Sequence, residues 1–197
     1  MRIVLFLLFA LNISWATAQD FRAGLLGGMT TSQISGDNLE GYDKLGFRIG
    51  AYVSRSIKEM VDLKMEIQYI QKGSKRHIDK YSFERYMFNL HYVEIPISIA
   101  WKYNQDISIE AGLSPSYLMA YSEQNHMGDI LPKNDPKSVG LDFFVGANYQ
   151  LKPQIILNLR YSQSVIPVRK HSSEGQFGLN NGQQSSLLSL ALYYQFN

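Results

Sequence analysis

Four histidines, His77, His91, His126 and His171, are the side chains with the clearest capacity for acid–base or metal chemistry. Asp79, Glu123, Asp129, Ser172 and Glu174 lie near them in sequence. Such a set could supply a Ser–His–acid nucleophile or a His-ligated metal. The spacing argues against both, because no separation among these residues matches a metal-ligand or nucleophile motif. Polar loops also collect histidines without any catalytic purpose. Cysteine is absent, which removes thiol nucleophiles, disulfides, thiolate metal sites and an acylated Cys anchor. The sequence therefore predicts no enzyme, no catalytic or metal-binding residue and no cofactor.

A second charged set is larger and more regular. Arg22, Arg48, Lys64, Lys72, Lys102 and Arg160 sit at alternate positions of apolar segments, and so do Asp62, Glu66, Glu94, Glu110 and Asp142. Six cations thus share one face with five carboxylates. A confined space holds such charges only in pairs, since an isolated buried charge loses its hydration at large cost. Loss of Glu94 is accordingly expected to strand a cation. The net charge of the whole chain is only +2, too small for a nucleic-acid surface, and no nucleic-acid partner is expected.

The elements that position these charges have a period of two. Eight strands are predicted: Phe21–Ile34, Leu45–Ile57, Val61–Gly73, His91–Tyr103, Ile107–Tyr121, Val139–Leu151, Ile155–Ser164 and Ser186–Phe196. At about ten or more residues each they suit tilted strands crossing a bilayer. Connections alternate in length. Lys58-Glu59-Met60, Asn104-Gln105-Asp106 and Lys152-Pro153-Gln154 are tight, whereas Ser35–Lys44, Ser74–Leu90, Ser122–Ser138 and Val165–Ser185 are long and polar. Brief periplasmic turns and long external loops are what a membrane barrel requires. All four histidines fall at the long-loop end.

Parity alone does not separate a membrane barrel from a soluble sandwich or a lipocalin-like ligand carrier, whose faces would be exchanged. Three features favour the barrel. Aromatics gather at the apolar-face strand ends: Phe21, Trp101, Tyr103, Tyr149, Tyr194 and Phe196 at the short-turn end, and Phe47, Tyr69, Tyr117, Phe143 and Tyr161 towards the loops. Two such girdles mark headgroup level. The polar parity is rich in glycine (Gly24, Gly28, Gly50, Gly112, Gly146), which makes room for large neighbours in a narrow lumen. Its charges are balanced in sign. Pro96 and Pro115 each remove one ladder hydrogen bond, and a bulge or kink is expected near Glu94-Ile95-Pro96.

The N-terminus reads as a cleaved export signal. Met1-Arg2 is a short basic segment, Ile3 to Ile13 is apolar apart from Asn12, and Ala16-Thr17-Ala18 is a small-x-small cleavage site. The alternative, a single anchor helix, needs about 18–20 apolar residues. The expected organisation is a signal peptide over 1–18 and a barrel domain over 19–197. The fold class is all-β: a closed eight-stranded antiparallel transmembrane β-barrel, an up-and-down meander in the cell outer membrane.

Phe21-Arg22-Ala23-Gly24 with Gly27-Gly28, Leu45-Gly46-Phe47-Arg48-Ile49-Gly50, Gln71-Lys72-Gly73, Arg160-Tyr161 and Tyr194-Gln195-Phe196 form a recognisable set of motifs. Through them the chain resembles the outer-membrane β-barrel domain (porin-family, PorT-like) proteins of Gram-negative bacteria. Tyr92-Val93-Glu94-Ile95-Pro96-Ile97, similar to a Tyr-x-Glu-Ile-Pro signature, is the most specific element. The resemblance implies insertion by the barrel-assembly machinery, which reads a C-terminal aromatic, here Phe196 followed by Asn197. It also implies a link to protein secretion through the PorT-like relatives. The expected function is a structural or interaction barrel with a side-chain-plugged lumen, bathed in outer-membrane lipid and meeting a protein partner through four external loops. A small-solute porin, a rim-located membrane enzyme and a soluble ligand carrier are the alternatives.

Overall fold

The computed structural model describes residues 21–35, 42–76, 86–125, 128–129, 134–169 and 182–196. The expected signal peptide lies outside the described residues, as do His77, His126, His171, Asp79, Ser172 and Glu174. Period-two patterning becomes strands β1 (Phe21–Ser35), β2 (Lys44–Lys58), β3 (Val61–Arg76), β4 (Tyr86–Glu94), β5 (Ile97–Lys102), β6 (Ile107–Asn125), β7 (Gly128–Asp129), β8 (Val139–Lys152), β9 (Ile155–Ser164) and β10 (Gln184–Gln195). β4 and β5 are two halves of one stave, both lying between β3 and β6. β7 is a short pairing on the end of β6. The remaining partners run β1, β2, β3, β4 with β5, β6, β8, β9, β10, and β10 pairs back onto β1. Every pairing is antiparallel, so the ring is a closed eight-stranded meander without a free edge. In lipid an open edge would leave backbone groups unpaired.

The faces are inverted relative to a water-soluble protein. Ile67, Ile99, Ile109, Leu159 and Leu190 are exposed on the outside, whereas Arg48, Glu66, Glu110 and Arg160 are buried within. A lipocalin-like carrier needs the opposite arrangement, and that alternative is set aside. Towards the long loops the polarity changes over. Ile34, Ile70, Phe88, Leu90, Tyr92, Val168 and Leu187 form a buried apolar cluster inside the barrel. At the same height Gln71 and His91 bond to Tyr69, Asn89 bonds to Ser122, and Gln163 bonds to Ser186, all on the outer face. The 19 residues of β6, at about 3.4 Å each and tilted by about 40°, rise roughly 50 Å, twice the apolar band of about 25 Å. The loop end therefore stands in water, and there the ordinary rule of an apolar interior returns.

This changeover explains why the fourth stave begins at Tyr86 rather than the expected His91. Phe88 and Leu90 lie on the parity that is polar lower down, so one continuous alternation does not reach them. Of the bulge or kink expected near Glu94-Ile95-Pro96, no bulge forms, although the stave is interrupted there between β4 and β5. Pairing with β3 keeps one register from Gln68–Glu94 to Met65–Ile97, and pairing with β6 keeps one from Glu94–Ser116 to Ile97–Leu113. The irregularity lies higher, between His91 and Tyr92 opposite Leu118 and Ala120, with Met119 as the extra residue. What the prolines change is bonding. Glu66 N–H donates to Pro96 O and Ile95 N–H donates to Pro115 O, each at 2.9 Å. Neither proline has an N–H to return. Two adjacent rungs are therefore half-made, while the register across them is unbroken.

Close packing in the lumen needs glycine at two places. A Cβ on Gly112 would lie 2.7 Å from the Phe144 ring, and one on Gly24 would lie 2.6 Å from the Tyr52 ring. Outside, the short-turn girdle is assembled as expected, with Trp101 against Tyr103 and Tyr194 against Phe196, both at 6.1 Å between centroids. Phe21 and Tyr149 are exposed on the same outer surface. The upper girdle includes Phe47 against Tyr69 at 5.5 Å.

Candidate functional site

All eleven charged residues expected in the lumen point inward, because each lies on the inward parity of its strand. They gather in three tiers. Nearest the short turns, Asp62 at the start of β3 receives Arg22 from β1 at 2.6 Å and Lys102 from β5 at 2.9 Å. The Ser56 hydroxyl donates to the same carboxylate at 2.7 Å. This tier lines a cavity of about 340 Å³ that also meets Tyr52, Tyr193 and the turn residues Asn104 and Asp106. The turn is fixed by the Asn104 side-chain oxygen, which accepts from the N–H groups of Asp106 and Ile107.

The middle tier is almost wholly buried, with Lys64 at the floor of that cavity. Arg160 on β9 places Nη1 and Nη2 on Glu66 of β3 at 3.1 and 2.7 Å, a bidentate pair across the lumen. Its Nε reaches Glu110 of β6 at 2.9 Å. Lys64 lies 2.5 Å from Glu110 and 3.4 Å from Glu66. The Tyr193 hydroxyl donates to Glu66 at 3.0 Å, and Asn158 donates to Glu110 at 2.8 Å. The Arg160 guanidinium stacks 4.2 Å from the Phe144 ring, which rests on Gly112. Arg48 is the exception. It donates to Asn158 at 2.5 Å and approaches Tyr193, but among the described residues no carboxylate lies within pairing distance, and its Nε has no partner. Three cations here face two carboxylates.

The upper tier has the opposite imbalance. Lys72 on β3 pairs with Glu94 of β4 at 2.5 Å and also with Asp142 of β8. Glu94 further accepts from Gln68 at 2.9 Å and Ser114 at 3.0 Å. Removing Glu94 would therefore leave Lys72 with Asp142, so the expectation that its loss strands a cation is corrected.

Above this tier the apolar cluster closes the lumen. The segment after β9 folds back over the mouth, with Val168 N–H donating to Gln183 O and Lys137 N–H donating to Val168 O. Arg169 pairs with Glu123 at 2.9 Å and stacks 4.5 Å from Phe88, while Tyr86 donates to Glu123 at 2.5 Å. Burial alone would lower the Arg169 pKa, but its bonds to Glu123 and Tyr86 outweigh burial and hold it above the ordinary value. Glu123 turns inward here because the Met119 bulge shifts the face of β6. Of the residues considered for chemistry, His91 lies on the outer face, its ring stacked on Tyr69, whose hydroxyl is 2.6 Å from Nδ1. Asp129 accepts from Gln124 at the edge of β6. Among the described residues no three His, Asp or Glu side chains come together as a metal site.

Asn158 and Tyr193 shared the polar parity with the charged set, so the pattern could have placed them in the network. Arg169 and Glu123 carried no such signal, since one follows β9 and the other depends on a bulge.

Comparison with solved structures finds the same architecture at low identity. Neisserial surface protein A matches with a TM-score of 0.59 and 14% identity, covering 88% of this chain and 97% of that one. Ail, the attachment invasion locus protein of Yersinia pestis, matches with a TM-score of 0.51 and 11% identity, covering 89% and 98%. A search of curated proteins finds no match. The family described as outer membrane protein beta-barrel domain matches residues 17–169, most of the chain. The chain belongs to that family and is a small integral β-barrel of the outer membrane.

Proposed function

We propose that this barrel is a structural and interaction protein with a plugged, non-conducting lumen, and that it is not an enzyme. The observation that carries this reading is the middle tier. Lys64, Glu66, Glu110 and Arg160 interlock across the whole cross-section, each at least nine-tenths buried. An eight-stranded barrel has just enough interior for such side chains. An ion crossing it would have to break several charge-assisted bonds at once. The external loops then meet a protein partner, and the similarity of Tyr92–Ile97 to the PorT-like signature extends the reading to protein secretion or assembly. Insertion through the barrel-assembly machinery, with Phe196 near the chain end as its signal, belongs to the same reading.

Single-channel recording in planar bilayers tests the plug. No stepwise conductance is expected from the purified barrel in potassium chloride solution. A stable open level would refute the reading and favour a small-solute porin. The secretion link is tested separately, by comparing exported proteins in cells with and without this chain. An unchanged profile would remove it.

A further inference from the structure

The two ends of the lumen differ in a way that the charged plug does not explain. Among the described residues the loop end is closed by the apolar cluster and Arg169. The short-turn end is open, and its cavity of about 340 Å³ stops at Lys64 and Tyr193. Short turns face the periplasm in outer-membrane barrels. The molecule is therefore a blind cup with its mouth towards the periplasm, at the low end of the volume range of small-ligand pockets.

The wall of the cup has specific chemistry. Arg22 and Lys102 share the single carboxylate of Asp62, so among the described residues one of the two positive charges has no ion-pair partner of its own. Both side chains are about one-third exposed, at 34% and 33%. Lys64 at the floor is already engaged by Glu110 and Glu66. Asp106 stands at the rim, exposed to water. Independently, Tyr52 on the wall is 4% exposed, and its hydroxyl has no hydrogen-bond partner among the described residues. A buried hydroxyl left unpaired is unfavourable, and this residue forms part of the cavity wall. Amides complete the collar. The Asn104 side-chain oxygen is used by the turn, and Gln150 Nε2 is used by backbone carbonyls, which leaves the Asn104 NH₂ and the Gln150 oxygen to a ligand. A carboxylate would neutralise the surplus charge, and an adjoining amide would match the collar. We infer that the cup binds the carboxylate end of a short peptide-like chain from the periplasm, with Arg22 and Lys102 on the carboxylate.

This inference rests on the proposed function for the floor of the cup, where Lys64 and Tyr193 belong to the middle tier; a conducting lumen refutes the plug, whereas equal binding of acid and amide refutes carboxylate recognition alone. The test uses the full barrel in detergent, with each variant checked for its heat-dependent gel shift. The probes are N-acetyl-dialanine as the free acid and as the amide, titrated calorimetrically. The acid is expected to bind at least about tenfold more tightly than the amide, a single decade of binding constant. Arg22→Gln and Lys102→Gln should each weaken the acid several-fold. Asp62→Asn should strengthen it, because both cations are then released to the ligand. A purely structural Asp62 would give the reverse. Equal binding of acid and amide, equal binding of inorganic phosphate, or weakened binding in Asp62→Asn would each overturn the assignment.

Discussion

Replacing Glu110 by alanine removes the acceptor on which most of the middle tier converges. Lys64 at 2.5 Å, Arg160 through Nε at 2.9 Å and Nη2 at 2.8 Å, and Asn158 at 2.8 Å all lose a partner. Glu66 would then be the sole carboxylate facing Arg48, Lys64 and Arg160. Deleting one member of a buried pair costs about 3–5 kcal/mol. At about 1.4 kcal/mol per decade, this lowers the folding constant roughly 10²- to 10⁴-fold. Glu94→Ala is the matched control, because Lys72 keeps Asp142 and only Gln68 and Ser114 are left without an acceptor. Unsatisfied donors of that kind cost about 1–3 kcal/mol. The assay is urea unfolding in phospholipid vesicles, followed by the fraction of protein with unheated gel mobility. Glu110→Ala should shift the midpoint well beyond Glu94→Ala. Equal shifts, or a larger one for Glu94, would refute the tier-by-tier accounting and mean that water reaches the middle of the lumen.

Arg48→Met should be neutral or stabilising in the same assay, since a buried cation without a carboxylate partner gives way to an apolar chain of similar length. A large loss would reveal an unseen counter-charge. Leu190→Arg, on the outer face opposite Met29 and Leu159, should cost about 2–4 kcal/mol near the bilayer midplane, and an unchanged midpoint would contradict lipid contact there. Gly112→Leu should abolish the heat-dependent gel shift, because its Cβ alone would meet Ile97 O at 2.2 Å. A normally shifting band would show that the β5 backbone beside Gly112 can give way.

Much of this architecture was legible because membrane and lumen impose opposite demands on neighbouring residues. Strands such as Ile155–Ser164 could be bounded to the residue, since Leu157, Leu159 and Tyr161 alternate with Asn158, Arg160 and Ser162. The inward set was equally readable, down to all eleven charges. What the pattern withheld was pairing. Alternation states that Glu94 faces inward, but not that Asp142 from β8 shares its lysine, because that contact depends on the barrel closing. Likewise Glu123 reads as a loop acid until the Met119 bulge turns it inward. The cavity at the short-turn end is a property of side-chain volumes around a ring, and no single strand displays it.

The changeover of the faces on β1, β3, β4 and β10 gives the molecule a built-in waterline. Sliding the barrel outward by two residues, about 5 Å along the membrane normal, would lift the ring around Phe47 out of the headgroups. Sliding it inward by the same step would press Gln71 and His91 towards hydrocarbon. Either displacement is opposed by residues of several staves at once, so the strand pattern itself helps to set the depth. Where the surrounding bilayer is thicker or thinner than that band, it is the lipid that must deform. The strand pattern thereby fixes the height at which the barrel sits in the bilayer, and with it the depth of the mouth of its cup.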